Sequence, residues 1–105
     1  GHLTPLLLAV SGRKEEMVEF LLRKNANVNA VDKMKRTALM LAAHYKSSSI
    51  ATLLLQQGIG VSSEDISGWT AKDDATASGS DTIHHKISEY KEEKIPKNAS
   101  QTSNP

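Results

Sequence analysis

Histidines, carboxylates and basic side chains are the residues of this sequence that could do chemistry, and their spacing predicts no reaction centre. The four histidines, His2, His44, His84 and His85, form neither a His-x-x-x-His nor a Glu-x-x-His pair that would place two metal ligands on one helical face. The chain has no cysteine, which excludes a thiol nucleophile and a thiolate metal site. Glycine loops that cradle phosphate and Gly-x-Ser-x-Gly are also absent. We therefore expect no bound metal, no cofactor and no enzymatic activity.

Binding is the chemistry that remains, and two features favour it. Lys33, Lys35 and Arg36 cluster within four residues and could recognise an acidic patch, although a solvated charged tip explains them equally. Trp69 is the only tryptophan of the chain. Exposed tryptophan and arginine side chains are typical anchors of protein interfaces. The alternative for Trp69 is a brace that packs over a neighbouring loop.

Composition limits the class of protein. The chain has 105 residues, of which 38% are apolar and 4% aromatic, and this suits a thin aliphatic core. The 13 basic and 12 acidic residues give a net charge of +1, so no overall field favours nucleic acid or a membrane. No apolar run reaches the roughly 20 residues that span a bilayer, and no signal peptide is recognisable. We expect an intracellular, cytoplasmic protein without a transmembrane segment.

A period of 33 residues organises the elements that must position these side chains. The offset relates Thr4, Thr37 and Thr70, and it also relates Ala9, Ala42 and Ala75, and Leu21, Leu54 and Ile87. Each period predicts a threonine-capped helix, a tight turn, a second helix and a polar loop. Self-similarity at a fixed spacing predicts stacked copies of one helical unit.

The residues within each period resemble the ankyrin repeat, whose pattern is roughly D-x-x-G-x-T-P-L-H-x-A-A, V-x-x-L-L and G-A-D-V-N. The first copy carries Thr4-Pro5-Leu6, Ala9, Leu21-Leu22 and Asn25 to Asn29, and the later copies carry Asp32, Thr37-Ala38-Leu39 and Gly68-x-Thr70-Ala71. Some of this wording is also similar to the ankyrin domains of the primate POTE-like family. The resemblance implies an all-α ankyrin-repeat solenoid of about three repeats, with hairpin-like loops.

The predicted units are an ankyrin repeat with an incomplete start at 1–31, a second repeat at 32–64, a capping or degenerate repeat at 65–90 and a flexible tail at 91–105. The third copy departs from the pattern because Lys72 and Asp74 stand where the others have leucine. Asp73 could form a capping box with Thr70. Lys35 replaces the loop glycine, which predicts strain if that position needs a positive φ.

The resemblance also implies a binding face formed by the loop tips and the first helix of each repeat. We expect this face to contain Lys33, Met34, Lys35, Arg36, His44, Tyr45, Ile66, Ser67 and Trp69. The predicted function is a non-enzymatic protein-protein interaction module or scaffold with an unidentified protein partner, either monomeric or part of a longer repeat chain. One alternative is weak, salt-sensitive binding of phosphate-rich partners such as nucleic acid or anionic lipid at Lys33 to Arg36. Another is a repeat fragment that is not stable or functional alone.

Overall fold

A computed structural model describes residues 3–90 of the chain. Five helices have both ends within this range, and a sixth, α6, covers residues 81–90 of it. They are α1 (Pro5–Ser11), α2 (Glu15–Arg23), α3 (Ala38–His44), α4 (Ser48–Gln56) and α5 (Ala71–Ser78). The helices form three consecutive pairs, and within residues 3–90 the only β-type pairing is an isolated antiparallel bridge between Val31 and Thr37. The predicted all-α repeat fold is confirmed.

A threonine caps the first helix of every pair, as the 33-residue spacing predicts. Thr4, Thr37 and Thr70 have extended backbones, and each side-chain oxygen accepts a hydrogen bond from the backbone N–H three residues later. Such a bond satisfies one of the N–H groups that a helix leaves unpaired at its start. The predicted capping box is also present, because the Asp73 carboxylate accepts a hydrogen bond from the Thr70 N–H at 2.9 Å. The third pair therefore retains a well-formed helix start.

The turns recur with the same period. Positive φ angles occur at Arg13, Lys46 and Gly79, and again at Lys35 and Gly68, and each of these sets is spaced by 33 residues. The φ of Lys35 is 64°, whereas that of Gly68 is 84°. A non-glycine residue in the left-handed region is strained by its Cβ atom. The strain predicted at Lys35 is thus confirmed in the backbone.

A single aliphatic core runs through the three pairs. The first helices lie side by side, with α3 packed against both α1 and α5, and α2 packs against α4. Its fully buried large side chains include Leu6, Val18, Leu39, Ile50, Leu54, Ile83 and Ile87. Burial of this aliphatic surface is the main term that stabilises the stack.

Some sequence expectations differ from the structure or fall outside it. We predicted a buried face on α2 that included Met17, Val18, Leu21 and Leu22, but Met17 is 50% exposed and Leu21 only partly buried. The reason is that no helix pair precedes α1 to cover that side of α2 in residues 3–90. The predicted repeat boundaries near residues 31 and 64 fall in loops and stay proposals. The predicted flexible tail at 91–105 and the first two residues, His2 included, lie outside the described residues.

Candidate interaction surface at the loop tips

Asp32 organises the first loop tip, which we define as residues 32–36. Its Oδ1 atom accepts hydrogen bonds from the backbone N–H groups of Met34 at 2.9 Å and Arg36 at 2.8 Å. Its own backbone N–H donates to the Arg36 carbonyl at 3.1 Å, and the Lys35 N–H donates to its carbonyl at 2.9 Å. Aspartate suits this position because its short carboxylate can accept from the backbone just ahead of it. The tip is therefore held in one conformation.

Asp65 plays the same part in the second tip, residues 65–69. Its Oδ1 atom accepts from the N–H groups of Ser67 at 2.8 Å and Trp69 at 3.1 Å. The Asp65 N–H donates to the Trp69 carbonyl and the Gly68 N–H to the Asp65 carbonyl, each at 2.9 Å. The backbone of Trp69 is thus fixed by two hydrogen bonds to one residue.

A hydrogen bond joins the two tips. The backbone N–H of Ile66 donates to the carbonyl of Met34 at 3.0 Å, so equivalent parts of successive loops lie against each other. Large apolar side chains are exposed at this junction, with 44% of Met34, 61% of Ile66 and 43% of Trp69 accessible to solvent. Three such residues on two connected tips form an apolar patch, and patches of this kind mark interaction sites more often than single exposed residues do.

The basic cluster of the first tip is only partly available to a ligand. Arg36 Nε donates to Asp32 Oδ2 at 2.9 Å, and Asp32 is buried whereas Arg36 is partly exposed. Burial raises the pKa of Asp32, but the hydrogen bonds from the Arg36 backbone, the Arg36 side chain and the Met34 backbone, together with the Arg36 charge, outweigh it and lower the pKa. Lys33 and Lys35 are exposed. The guanidinium of Arg36 therefore serves the tip itself as well as the surface.

The end of α3 contributes a second part of the surface. His44 is the last residue of α3 and Tyr45 follows it, and their rings meet edge to face with centroids 4.7 Å apart. Both residues are exposed. Edge-to-face contact between aromatic rings is favourable, so the two side chains support each other at the surface.

Asp74 of α5 links this helix end to the loop tips. Partial burial raises the pKa of Asp74, the charges of Asp65 and Asp73 raise it further, and those of His44 and Arg36 lower it. These groups must lie near one another, because charge interactions fade within about 10 Å at ordinary salt concentrations. The structure thus places His44 and Arg36, both predicted for the surface, in the same electrostatic environment.

Asp74 and Asp65 were not among the predicted surface residues. We interpreted Asp74 as a departure from the leucine of the first two copies, and Asp65 as a turn former. A signal was present in the sequence, since Asp74 lies 33 residues after Leu41 in the helix that ends at His44. Side chains near the ends of adjacent first helices share one face of the stack, and this relation would have placed Asp74 beside His44.

Two further searches covered residues 3–90 only. Within that range no three histidine or acidic side chains are grouped closely enough to hold a metal ion. Among the helices described, none is long and apolar enough to span a bilayer.

Comparison with known proteins agrees with this geometry. The sequence profile described as ankyrin repeats (3 copies) matches residues 1–65. Alpha-latrotoxin-Lg1a of Latrodectus geometricus is 41% identical over 59 residues, which are 53% of this chain and 4% of the toxin. The putative palmitoyltransferase ZDHHC13 of Danio rerio is 37% identical over 101 residues, which are 91% of this chain and 15% of that protein. This chain therefore spans only a small part of either relative.

The crystal structure of the human ASB11 ankyrin repeat domain superposes on this chain with a TM-score of 0.79 and 25% sequence identity. The match covers 83% of this chain and 39% of that domain. The profile, which covers more than half of the residues, and the shared architecture lead to one conclusion: the chain belongs to the ankyrin-repeat family.

Proposed function

We propose that this chain is a non-enzymatic binding module that recognises a protein partner through its loop tips and the ends of α3 and α5. Ankyrin repeats are a general protein-protein interaction module, which supports the coarse part of the proposal. The finer part is the location of the contact surface. It includes Met34, Ile66 and Trp69 as apolar contacts and Lys33, Arg36, His44 and Tyr45 as polar or aromatic contacts.

The observation that supports this location best is the apolar patch of Met34, Ile66 and Trp69. Exposing three large apolar side chains to water is unfavourable, whereas covering them with a partner releases that cost. The patch also needs little ordering on binding, because Asp32, Asp65 and the bond from Ile66 to Met34 already fix its backbone. A preorganised surface retains more of its contact energy as affinity.

Binding of a phosphate-rich partner at the first tip is the second candidate, and the ion pair between Arg36 and Asp32 weakens it. One of the three basic side chains is partly neutralised there, and Asp65 and Asp74 lie close to the same surface. Affinity for phosphate groups depends on the number of available cations and falls steeply with salt. We therefore favour a protein partner, and salt dependence separates the two candidates.

The test is a selection of displayed peptides against the intact chain, followed by measurement of the affinity of the selected peptides. We expect Trp69→Ser to weaken binding about tenfold or more, as loss of an interface anchor does. Phe20→Ser is the matched control, because Phe20 is 45% exposed, close to the 43% of Trp69, but lies on α2. Selected peptides that bind Trp69→Ser as tightly as the parent chain would overturn the proposed location.

Salt titration of the same complexes supplies the second criterion. An apolar contact responds little between 50 and 200 mM salt, roughly the range over which phosphate binders lose orders of magnitude of affinity. A steep loss, abolished by changing Lys33 and Lys35 to glutamine, would favour the phosphate-binding candidate instead. The similarity to the POTE-like family, the intracellular location and the monomeric state stay predictions from the sequence.

A further inference from the structure

The 33-residue period shows which side of each helix pair another pair covers. Positions 17, 50 and 83 are equivalent, and their side chains are 50% exposed in Met17, 2% in Ile50 and 0% in Ile83. Leu21 is likewise only partly buried, whereas Leu54 and Ile87, its equivalents, are fully buried. A position that is exposed in the first pair and buried in both later pairs is covered by the pair before it. Met17, Leu21 and Ala26 form what we call the incoming face of the first pair.

The opposite side of each pair, the outgoing face, shows the reverse pattern. Leu7 and Val10 are buried, as are their equivalents Met40 and Ala43, whereas the third pair has exposed Asp73 and Thr76 at these positions. The second helices follow suit, because buried Leu22 and Leu55 give way to Ser88. The outgoing face is therefore apolar in the first two pairs and polar in the third. The incoming face of the first pair remains apolar.

The incoming face borders a groove of about 300 Å³. The groove is lined by Thr4, Pro5, Leu6, Leu21, Lys24, Ala26, Asn27 and Ala30, with mostly apolar surface. The second pair shows how such a groove is filled. There, Ile59, the equivalent of Ala26, is 1% exposed, and the backbone N–H of Gly60 donates to the Asn29 side chain of the first pair at 3.3 Å. The N–H of Asn27 occupies the position equivalent to that of Gly60.

We propose that the incoming face is covered by the outgoing face of a further ankyrin-type repeat, joined on the amino-terminal side of the first pair. That repeat presents aliphatic side chains to Met17 and Leu21, and an asparagine or aspartate side chain to the N–H of Asn27. The interface between the first and second pairs supplies the template, because Ile50, Leu54 and Gly60 are covered in this way.

A second copy of this chain, stacked head to tail, fits the incoming face less well. It would place the polar outgoing positions of the third pair, Asp73, Thr76 and Ser88, against Met17 and Leu21. Burial of polar groups without partners is unfavourable. The solved ankyrin domain of human ASB11, of which this chain covers 39%, shows that the same architecture occurs in longer stacks.

The test inserts a second copy of residues 5–37 immediately before Pro5 of the full chain, which preserves the 33-residue register. In the inserted copy Met17→Lys makes the new outer side polar. We expect the melting temperature of the whole chain to rise in a single transition, and amide exchange at the original Asn27 to slow about tenfold. The same insert carrying Asn29→Ala should fold and stack but leave the exchange of the original Asn27 fast.

Two results would overturn the proposal. The first is an insert that folds, seen as added helical signal, while exchange at the original Leu21 and Asn27 stays at the parent rate. The second is a dimer of the parent chain in sedimentation experiments that Met17→Lys abolishes, because a second copy would then be the occupant of this face. Binding at the loop tips is measured independently, so failure here leaves the proposed function standing.

Discussion

Asp32 and Asp65 hold equivalent places in successive loop tips and make the same backbone hydrogen bonds, but only Asp32 also binds a guanidinium. Both accept two backbone N–H groups on Oδ1, whereas Asp32 additionally accepts from Arg36 Nε on Oδ2 at 2.9 Å. The residue that aligns with Arg36 in the second tip is Trp69. One tip therefore uses both carboxylate oxygens, while the other needs a single acceptor oxygen.

This difference predicts unequal effects of aspartate-to-asparagine changes. In Asp32→Asn the amide must turn an NH2 group toward Arg36 Nε, which is also a donor, so we expect a loss of about 1.5–3 kcal/mol at pH 7. Asp65→Asn is the matched control, because the asparagine Oδ1 can still accept from Ser67 and Trp69. Urea unfolding of both variants measures the difference, and equal losses would show that the ion pair contributes nothing.

The pH dependence of Asp32 follows from its lowered pKa. A carboxyl group whose folded pKa lies below its unfolded value, here ordinarily 3.8, stabilises the fold above that value and loses this contribution as the pH falls through the folded pKa. The gap in stability between parent and Asp32→Asn should therefore shrink on acidification below about pH 4. A gap that stays constant down to pH 2 would contradict this assignment.

A second prediction concerns Lys35, whose φ of 64° is the counterpart of Gly68 at 84°. Lys35→Gly removes the strained Cβ contact at a cost in backbone entropy, and we expect a net gain of about 0.5–1 kcal/mol. Gly68→Ala should lose stability by a similar amount for the opposite reason, since an added Cβ atom meets nothing within 4 Å and only the backbone conformation is affected. Thermal unfolding measures both, and a destabilised Lys35→Gly would show that the lysine side chain makes a compensating contact.

Much of the fold could be predicted because the 33-residue period states the same structural instruction three times. The caps at Thr4, Thr37 and Thr70 and the capping box of Asp73 follow from local hydrogen-bonding chemistry, which the sequence contains in full. The exposure of Met17 did not follow, because it depends on what lies beside α2 and not on α2 itself. Stacking is a relation between units, and the periodicity of one helix shows only which residues share a face.

The surface was less predictable than the core for the same reason. The pattern indicated the loop tips, but the bond from Ile66 to Met34 and the ion pair of Arg36 depend on how one loop lies against itself and its neighbour. Asp74 illustrates the limit, since its position beside His44 comes from the packing of α5 on α3.

A third prediction tests the shared core. Leu54 is fully buried in α4, so Leu54→Asp would bury an unpaired charge, which costs several kcal/mol, a large part of the roughly 5–15 kcal/mol that stabilises a typical domain. We expect circular dichroism to show loss of the helical signal. Leu8→Asp is the control, because Leu8 is 54% exposed on α1 and should tolerate the charge. A Leu54→Asp variant that melts like the parent would contradict the repeat packing.

The final prediction concerns Asp74, whose pKa is raised by partial burial and by the charges of Asp65 and Asp73. A folded pKa above the ordinary 3.8 means that the ionised form is less favourable in the folded state than in the unfolded chain. The resulting stabilisation is complete below about pH 3.8 and is lost as the pH rises through the folded pKa. Asp74→Asn should therefore melt at a higher temperature than the parent at pH 7, and the advantage should vanish near pH 3.

Asp73→Asn provides the contrast, because the Asp73 carboxylate accepts from the Thr70 N–H and hydroxyl in the capping box. Its removal should lower the melting temperature at pH 7, by about 1 kcal/mol or less of stability. Opposite signs from adjacent aspartates on one helix would show that local hydrogen bonding, and not overall negative charge, decides the effect of each. If both variants were stabilised to the same extent, the net charge of this surface would be the cause, and the partial burial of Asp74 would have no separate role.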